Sequence, residues 1–177
     1  MRRVGWLMAA LAAGVSIVSA QIPAGAQVGL ARYLQGGYRG SALSLQEAAQ
    51  MMPAADYAFK PSTMAEARTF AAVIAHAADG MFGECAVARG VSPPAVSIEK
   101  GELTKARVVQ GLADAVEFCN PVFAALTEAS AAEFVRKGAG EVARGAVLVG
   151  LIAHNAEMFG ISTVYLRAKN LVPPGSR

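Results

Sequence analysis

Residues 69–90 read TFAAVIAHAADGMFGECAVARG, and this stretch has the pattern of a buried amphipathic helix. Apolar residues recur every three or four positions and therefore share one helical face: Phe70, Ile74, Ala77 and Met81. Gly90 is suited to a left-handed cap that ends the helix, and the prolines at 93 and 94 prevent its continuation. The stretch predicts a helix over residues 69–89.

Three more stretches have helical periodicity, at residues 31–52, 104–127 and 141–170. Pro53 ends the first, Pro121 predicts a kink or an early break in the third, and Asn170 can adopt the left-handed cap of the fourth. Strand signals are poor, and residues 138–140 are interpreted as a loop with no strand before it. These helices predict an all-α four-helix bundle, with a long connection after Gly90 that can cross the bundle.

The first 26 residues have the order of segments that is typical of a secretory signal peptide. Arg2 and Arg3 precede a charge-free apolar run over residues 4–18, and small residues follow. Cleavage after Ala26 fits best, and cleavage after Ala20 is the alternative. An uncleaved N-terminal anchor is also open, although the run is shorter than the roughly 20 residues of a membrane span. We expect an exported protein, periplasmic or secreted, whose folded domain is residues 27–177.

Charge and hydropathy exclude several partners of the exported domain. Arg2 and Arg3 are two of the 16 basic residues, which leaves 14 against 13 acidic residues in 27–177. Nucleic-acid binding needs a concentrated positive surface, so no such partner is expected. No later run is both long and charge-free, so no membrane contact is expected once the signal is removed.

Cys85 and Cys119 are the two cysteines of the chain, 34 residues apart and both in helical segments. In an oxidising compartment such a pair tends to form a disulfide. The alternative is that both are unpaired buried thiols. No C-x-x-C occurs, so a redox-active motif is not expected.

The chain has two histidines, His76 and His154, and each lies on a predicted helix. An imidazole on an apolar helical face needs a partner, because its burial otherwise costs free energy. Met158 lies four residues after His154 and should point the same way. Asp79 and Glu157 each follow a histidine by three residues and could assist as ligands.

The residues after position 30 resemble the DinB-like superfamily, the DinB/YfiT-type metalloenzymes. Three segments carry the resemblance: residues 56–61 (DYAFKP), 68–76 (RTFAAVIAH) and 154–177 (HNAEMFGISTVYLRAKNLVPPGSR). The resemblance implies a four-helix bundle with a central metal site, in which His76 and His154 match two histidine ligands. Met158 stands where the family has its third histidine, which puts the metal in doubt because zinc and nickel prefer imidazole, thiolate and carboxylate ligands.

Three interpretations of this altered site stay open. The site has decayed and the bundle holds no metal; or Asp79 or Glu157 completes a weakened site for zinc or nickel; or Met158 joins the two histidines in a soft Cu(I) site.

The corresponding functions are of different classes. The chain is a bundle that binds a small molecule or metal ion in its pocket, or a metal-dependent hydrolase or thiol transferase. A homodimer that uses an outer helical face is a third option.

Overall fold

The computed structural model describes residues 24–176, so most of the predicted signal peptide, residues 1–23, lies outside the described part. In chain order the elements are α1 (Leu30–Met51), α2 (Phe70–Arg89), α3 (Lys105–Ala124), α4 (Glu128–Ala132), β1 (Phe134–Lys137), β2 (Gly140–Ala143) and α5 (Arg144–Ala168). A single 3-10 turn, Ala54–Asp56, lies between α1 and α2. The predicted all-α four-helix bundle is confirmed, with α1, α2, α3 and α5 as its long helices.

The four long helices surround one core in the order α1, α3, α2, α5. Helix α2 packs against α3 and α5, and α1 packs against the same two helices. Helix α2 contributes the most deeply buried face, in which Phe70, Ile74 and Met81 have no solvent exposure. Alanines fill much of the rest of α2, which allows its neighbours to approach closely.

Hydrogen bonds at the helix ends fix the directions of the helices. Lys105 at the start of α3 donates to the carbonyl of Met52 after α1, at 2.8 Å. Tyr165 near the end of α5 donates to the carbonyl of Arg68 before α2, also at 2.8 Å. Tyr57, which follows α1, accepts a backbone hydrogen bond from Ala71 in α2. Helices α2 and α3 therefore run in the same direction, and α1 and α5 run in the opposite one.

Two parallel consecutive helices require a connection that returns along the bundle. Residues 90–104 make this return, as the length of the segment predicted. Its start is fixed by Gly90, which ends α2 with φ 68° as expected for the left-handed cap. The returning segment brings residues 97–99 beside the first half of α2, where they reach His76.

The region before α5 differs from the sequence-based prediction. Residue Glu141, the predicted start of the fourth helix, lies in strand β2, and residues 138–140 are preceded by strand β1. Gly138, with φ 63°, forms the hairpin turn. Strands of four residues are too short to show an alternating pattern, and the hairpin is held by tertiary contacts, including an ion pair from Lys137 to Glu84 of α2.

The third helix also ends earlier than predicted, at Ala124 instead of residue 127. Pro121 does not break it, because the helix continues for three residues beyond the proline. Thr127 instead caps the short helix α4 through its side chain.

Within the described residues, α2 and α5 are long and apolar enough to cross a membrane by length and composition alone. Core helices of globular proteins pass the same criterion, and 61% of the most apolar stretch of α2 is buried. The corresponding share of α5 is 33%. That the mature chain has no membrane contact stays a prediction.

The predicted disulfide is present. Cys85 of α2 and Cys119 of α3 are bonded, with their Cα atoms 5.5 Å apart, and neither residue is exposed. The bond joins the late parts of two parallel helices. It therefore closes the loop that contains the returning connection.

Reduction of this disulfide should lower the free energy of unfolding by about 2–4 kcal/mol, because the 34-residue loop no longer restricts the unfolded chain. Urea denaturation with and without reductant measures the loss. A Cys85→Ala/Cys119→Ala variant should be insensitive to reductant. Equal stability of the oxidised and reduced wild type would contradict the prediction.

Candidate functional site

The two histidines predicted from the sequence meet between α2 and α5. The ring centroids of His76 and His154 are 5.1 Å apart, and the ring planes are inclined at 68°. The side chain of His76 is 33% exposed, and His154 is also partly buried. Two imidazoles at one solvent-accessible position can share a ligand, a proton or a cation.

Gly80 makes this meeting possible. A Cβ atom at position 80 would lie 2.8 Å from Cε1 and 2.9 Å from Nδ1 of His154. Any other residue at this position would therefore displace the imidazole. The glycine at position 83, one turn further along α2, has no such neighbour within 4 Å.

Glu99 is a residue of the site that the sequence analysis missed. Its Oε2 lies 2.9 Å from Nδ1 of His76, and its Oε1 accepts a hydrogen bond of 2.9 Å from Nε of Arg68. A carboxylate acceptor at Nδ1 favours the tautomer with hydrogen on Nδ1, which leaves the lone pair of Nε2 available. No sequence signal pointed to Glu99, because it lies 23 residues from His76 in an irregular connection.

Asp79 holds the connection that carries Glu99. Its carboxylate accepts hydrogen bonds from the Ser97 hydroxyl at 2.6 Å, the Ile98 amide at 2.7 Å and the Glu99 amide at 3.2 Å. The side chain of Ile98 in turn occupies the space beside Gly111 of α3. These contacts give Asp79 a structural role at the edge of the site, and its role as an auxiliary ligand stays a prediction.

The remaining predicted residues are placed as follows. Met158 is 5% exposed and belongs to the hydrophobic core, one turn after His154 on α5. Glu157 is exposed, and its charge partly offsets the lowering of the pKa of His154 by burial and by His76. Among the described residues, no group of three or more His, Cys, Asp or Glu side chains is arranged to hold a metal ion. The roles of Met158 and Glu157 as ligands stay predictions.

The electrostatics of the site favour a neutral His154 and an ionised Glu99. Burial is the main cause that lowers the pKa of His154, and the nearby His76 lowers it further. Burial alone would raise the pKa of Glu99, but the hydrogen bonds from Arg68 and His76, together with their charges, bring it below its ordinary value. The site thus combines an imidazole that resists protonation with a carboxylate that resists neutralisation.

Asn155, next to His154 on α5, is a further residue that the sequence analysis missed. It has no solvent exposure, and both polar atoms of its side chain lack a hydrogen-bond partner among the described residues. An unpaired buried amide costs about 1–3 kcal/mol. The helix therefore carries two polar residues in succession, one at the site and one in the core.

The segments that suggested the family resemblance also meet in space. Tyr165 of the last segment packs edge-on against Phe59 of the first, with ring centroids 6.2 Å apart. Lys169 forms an ion pair of 2.7 Å with Asp56 and lies 4.2 Å from the ring centroid of Phe59. These contacts close the end of the bundle at which α2 begins and α5 ends.

The fold and these contacts define an all-α four-helix bundle, with two histidines between its second and last long helices. Among solved structures, the chain is similar to the crystal structure of a DinB-like protein from Bacillus cereus ATCC 10987. The TM-score is 0.66 at 14% sequence identity, and the match covers 80% of this chain and 95% of the other. No protein-family model matches the sequence, and no curated protein matches it significantly. At this identity the similarity establishes the fold alone.

The substitution Gly80→Ala should displace the His154 ring, whereas Gly83→Ala should not. In an open helical position, alanine adds about 0.5–1 kcal/mol of stability relative to glycine. We expect Gly83→Ala to gain this stability and Gly80→Ala not to gain it, as measured by urea denaturation. The imidazole NMR signals should shift only in Gly80→Ala. Equal stabilisation with unchanged histidine signals in both variants would contradict the close approach.

The lowered pKa of His154 predicts a loss of stability in mild acid. As the pH falls through 6.5, the ordinary pKa of histidine, the unfolded chain takes up a proton that folded His154 does not yet bind. Protonation of His154 thus has no effect on the free energy of unfolding above this pH and lowers that free energy below it. Between about pH 7.5 and about pH 5.5, the free energy of unfolding should fall more for the wild type than for His154→Gln. Identical pH dependence of the two proteins would show that the pKa of His154 is not lowered.

Proposed function

We propose that this protein is an exported bundle that binds a divalent metal ion, zinc or nickel, through His76 and His154, with coordination positions left for a small-molecule ligand. The observation that carries the proposal is the 5.1 Å separation of the two ring centroids. Two imidazoles bound to one tetrahedral ion, with N–metal distances near 2.0–2.1 Å, have centroids about 5 Å apart. The separation of the two ring centroids therefore matches that of two imidazoles on one ion.

The surroundings of the histidines support the same proposal. Glu99 accepts a hydrogen bond from Nδ1 of His76, an arrangement that orients metal-binding imidazoles and makes them better ligands. The negative charges of Glu157 and Glu84 act on His154 and partly offset the positive charges of His76 and Arg68, which act on the same imidazole. The low pKa of His154 keeps its nitrogen free of a competing proton.

The proposed site has two protein ligands, one fewer than a usual catalytic site. We therefore favour a binding function of the protein over a catalytic one. Catalytic zinc sites usually have three protein ligands and one open position. A bound cation would supply Lewis acidity, and the ionised carboxylate of Glu99 lies 2.9 Å from Nδ1 of His76. A metal-dependent hydrolase or thiol transferase is the second candidate, favoured only by this pairing of a carboxylate with an imidazole.

Export is part of the proposal and has separate support. The buried Cys85–Cys119 disulfide suits a chain that folds in an oxidising compartment. The charge-free run after Arg3 is the sequence feature that would direct the chain there.

Titration of the purified protein with Zn²⁺ and Ni²⁺ tests the proposed site. Calorimetry should show one ion per chain, and His76→Ala/His154→Ala should abolish binding. Glu99→Gln should weaken it about 10–100-fold, because it removes the carboxylate that orients His76. Equal binding by the wild type and the double histidine variant would contradict the proposal.

Met158 provides a sharper test of the same site. Met158→His should raise the Zn²⁺ affinity at least about tenfold by adding a third imidazole, whereas the control Met158→Leu should leave it unchanged. If Met158→Leu instead weakens Cu(I) binding and Zn²⁺ does not bind to the wild type, the site is the soft copper site. If the wild type and both Met158 variants bind no metal, the bundle holds no ion.

A further inference from the structure

We infer that a groove between α1 and α3 binds a small amphiphilic carboxylate, such as a medium-chain fatty acid, with its charged group at Arg39. The groove has a volume of about 430 Å³, which is within the range of small-molecule sites in proteins. Its residues come from α1 and α3, whereas the two histidines lie between α2 and α5. The groove is therefore separate from the histidine site, and the inference does not depend on metal binding.

Contacts between α1 and α3 fix the walls of this groove. The rings of Tyr38 and Phe123 are stacked, with centroids 4.0 Å apart and planes inclined at 3°. The hydroxyl of Tyr38 donates to the carbonyl of Val116 at 3.1 Å. The amide of Gln35 donates to the carbonyl of Phe123 at 3.0 Å. Because these contacts already hold the two helices in place, a ligand binds without the cost of ordering the site.

The surface of the groove is mostly apolar. Tyr38, Ala42 and Phe123 are buried residues at its base, and Leu43, which is 38% exposed, lies beside them. A hydrocarbon chain in the groove would cover Leu43, and the removal of apolar surface from water favours binding. Leu43 lies one turn after Arg39 on α1, so one ligand can reach both side chains.

The charge of the groove favours an anion as the polar part of the ligand. Among the described residues that line the groove, Arg39 is the one charged residue. It is exposed, and it forms no salt bridge within the part of the chain that the structure describes. The guanidinium group presents a planar fork of donors that matches the two oxygens of a carboxylate. Its single positive charge matches a carboxylate better than the nearly double negative charge of a phosphate.

Asn120 of α3 provides a second donor across the groove from Arg39. It lies between Val116 and Phe123 along α3, and both of these residues contact Tyr38. Because Tyr38 directly precedes Arg39, Asn120 and Arg39 lie at the same level of the bundle. The amide of Asn120 can therefore donate to the anion that Arg39 binds.

NMR titration of the purified, metal-free protein with sodium octanoate, below its micelle concentration, tests the inference. The amide signals of residues that line the groove should shift and saturate. Octanol should bind more weakly and octylammonium more weakly still, because Arg39 attracts a carboxylate and repels an ammonium group. His76→Ala/His154→Ala should bind octanoate as the wild type does, because the groove is separate from the histidines.

Two variants with matched controls test the residues of the groove. Arg39→Gln should raise the dissociation constant of octanoate about three- to tenfold, a limited effect because the ion pair is exposed, and should leave octanol binding unchanged. The control Arg32→Gln removes an exposed arginine of α1 that does not line the groove, and it should have no effect. Leu43→Glu should abolish octanoate binding, because it places a negative charge where the hydrocarbon chain lies. The control Val149→Glu changes an exposed valine of α5 and should not.

Circular dichroism checks that all of these variants are folded. Equal affinities for octanoate, octanol and octylammonium would overturn the inference, because Arg39 would then select no charge. So would octanoate binding that is lost in the double histidine variant or kept in Leu43→Glu, since the ligand would then lie outside the groove. The lack of any saturable shift up to the micelle concentration would also overturn it.

Discussion

The absence of a side chain at Gly80 is the constraint on which the site depends. Helices α2 and α5 meet there so closely that the His154 ring occupies the space of a Cβ atom. The approach brings His154 within 5.1 Å of His76, measured between ring centroids, and partly buries both. The burial in turn lowers the pKa of His154. One backbone position thus controls the distance, the exposure and the protonation of the imidazole pair.

The polar residues around this histidine pair come from the connection between α2 and α3 as well as from the helices. The periodicity of the helices therefore does not predict them. The parallel arrangement of α2 and α3 requires a connection that returns along the bundle, and Asp79 holds that connection through its carboxylate. The returning connection carries Glu99, which accepts hydrogen bonds from His76 and Arg68. The topology of the bundle and the chemistry of the site are therefore linked through one ordered turn. The Cys85–Cys119 disulfide closes the same loop from its other end.

Sequence periodicity predicted the long helices well, because each must bury one apolar face against the same core. Helix α2 begins and ends within one residue of its predicted limits, since Thr69 caps its start and Gly90 its end. The prediction was wrong at the start of α5, where Glu141 lies in a short strand. A hairpin with strands of four residues has little intrinsic stability, and this one depends on packing against α2. Its residues therefore carried no clear local signal.

The sequence by itself determined the four long helices, the left-handed cap at Gly90, the two cysteines as the possible partners of one disulfide and the two histidines as candidate ligands. Each of these follows from local periodicity or from the small number of residues of one type. Only the tertiary structure decided that Glu99 joins His76, that Gly80 accommodates His154 and that α1 and α3 leave a groove between them. Those relations join residues that are far apart in the chain or on different helices. They depend on the order and direction in which the helices pack, which local periodicity does not encode.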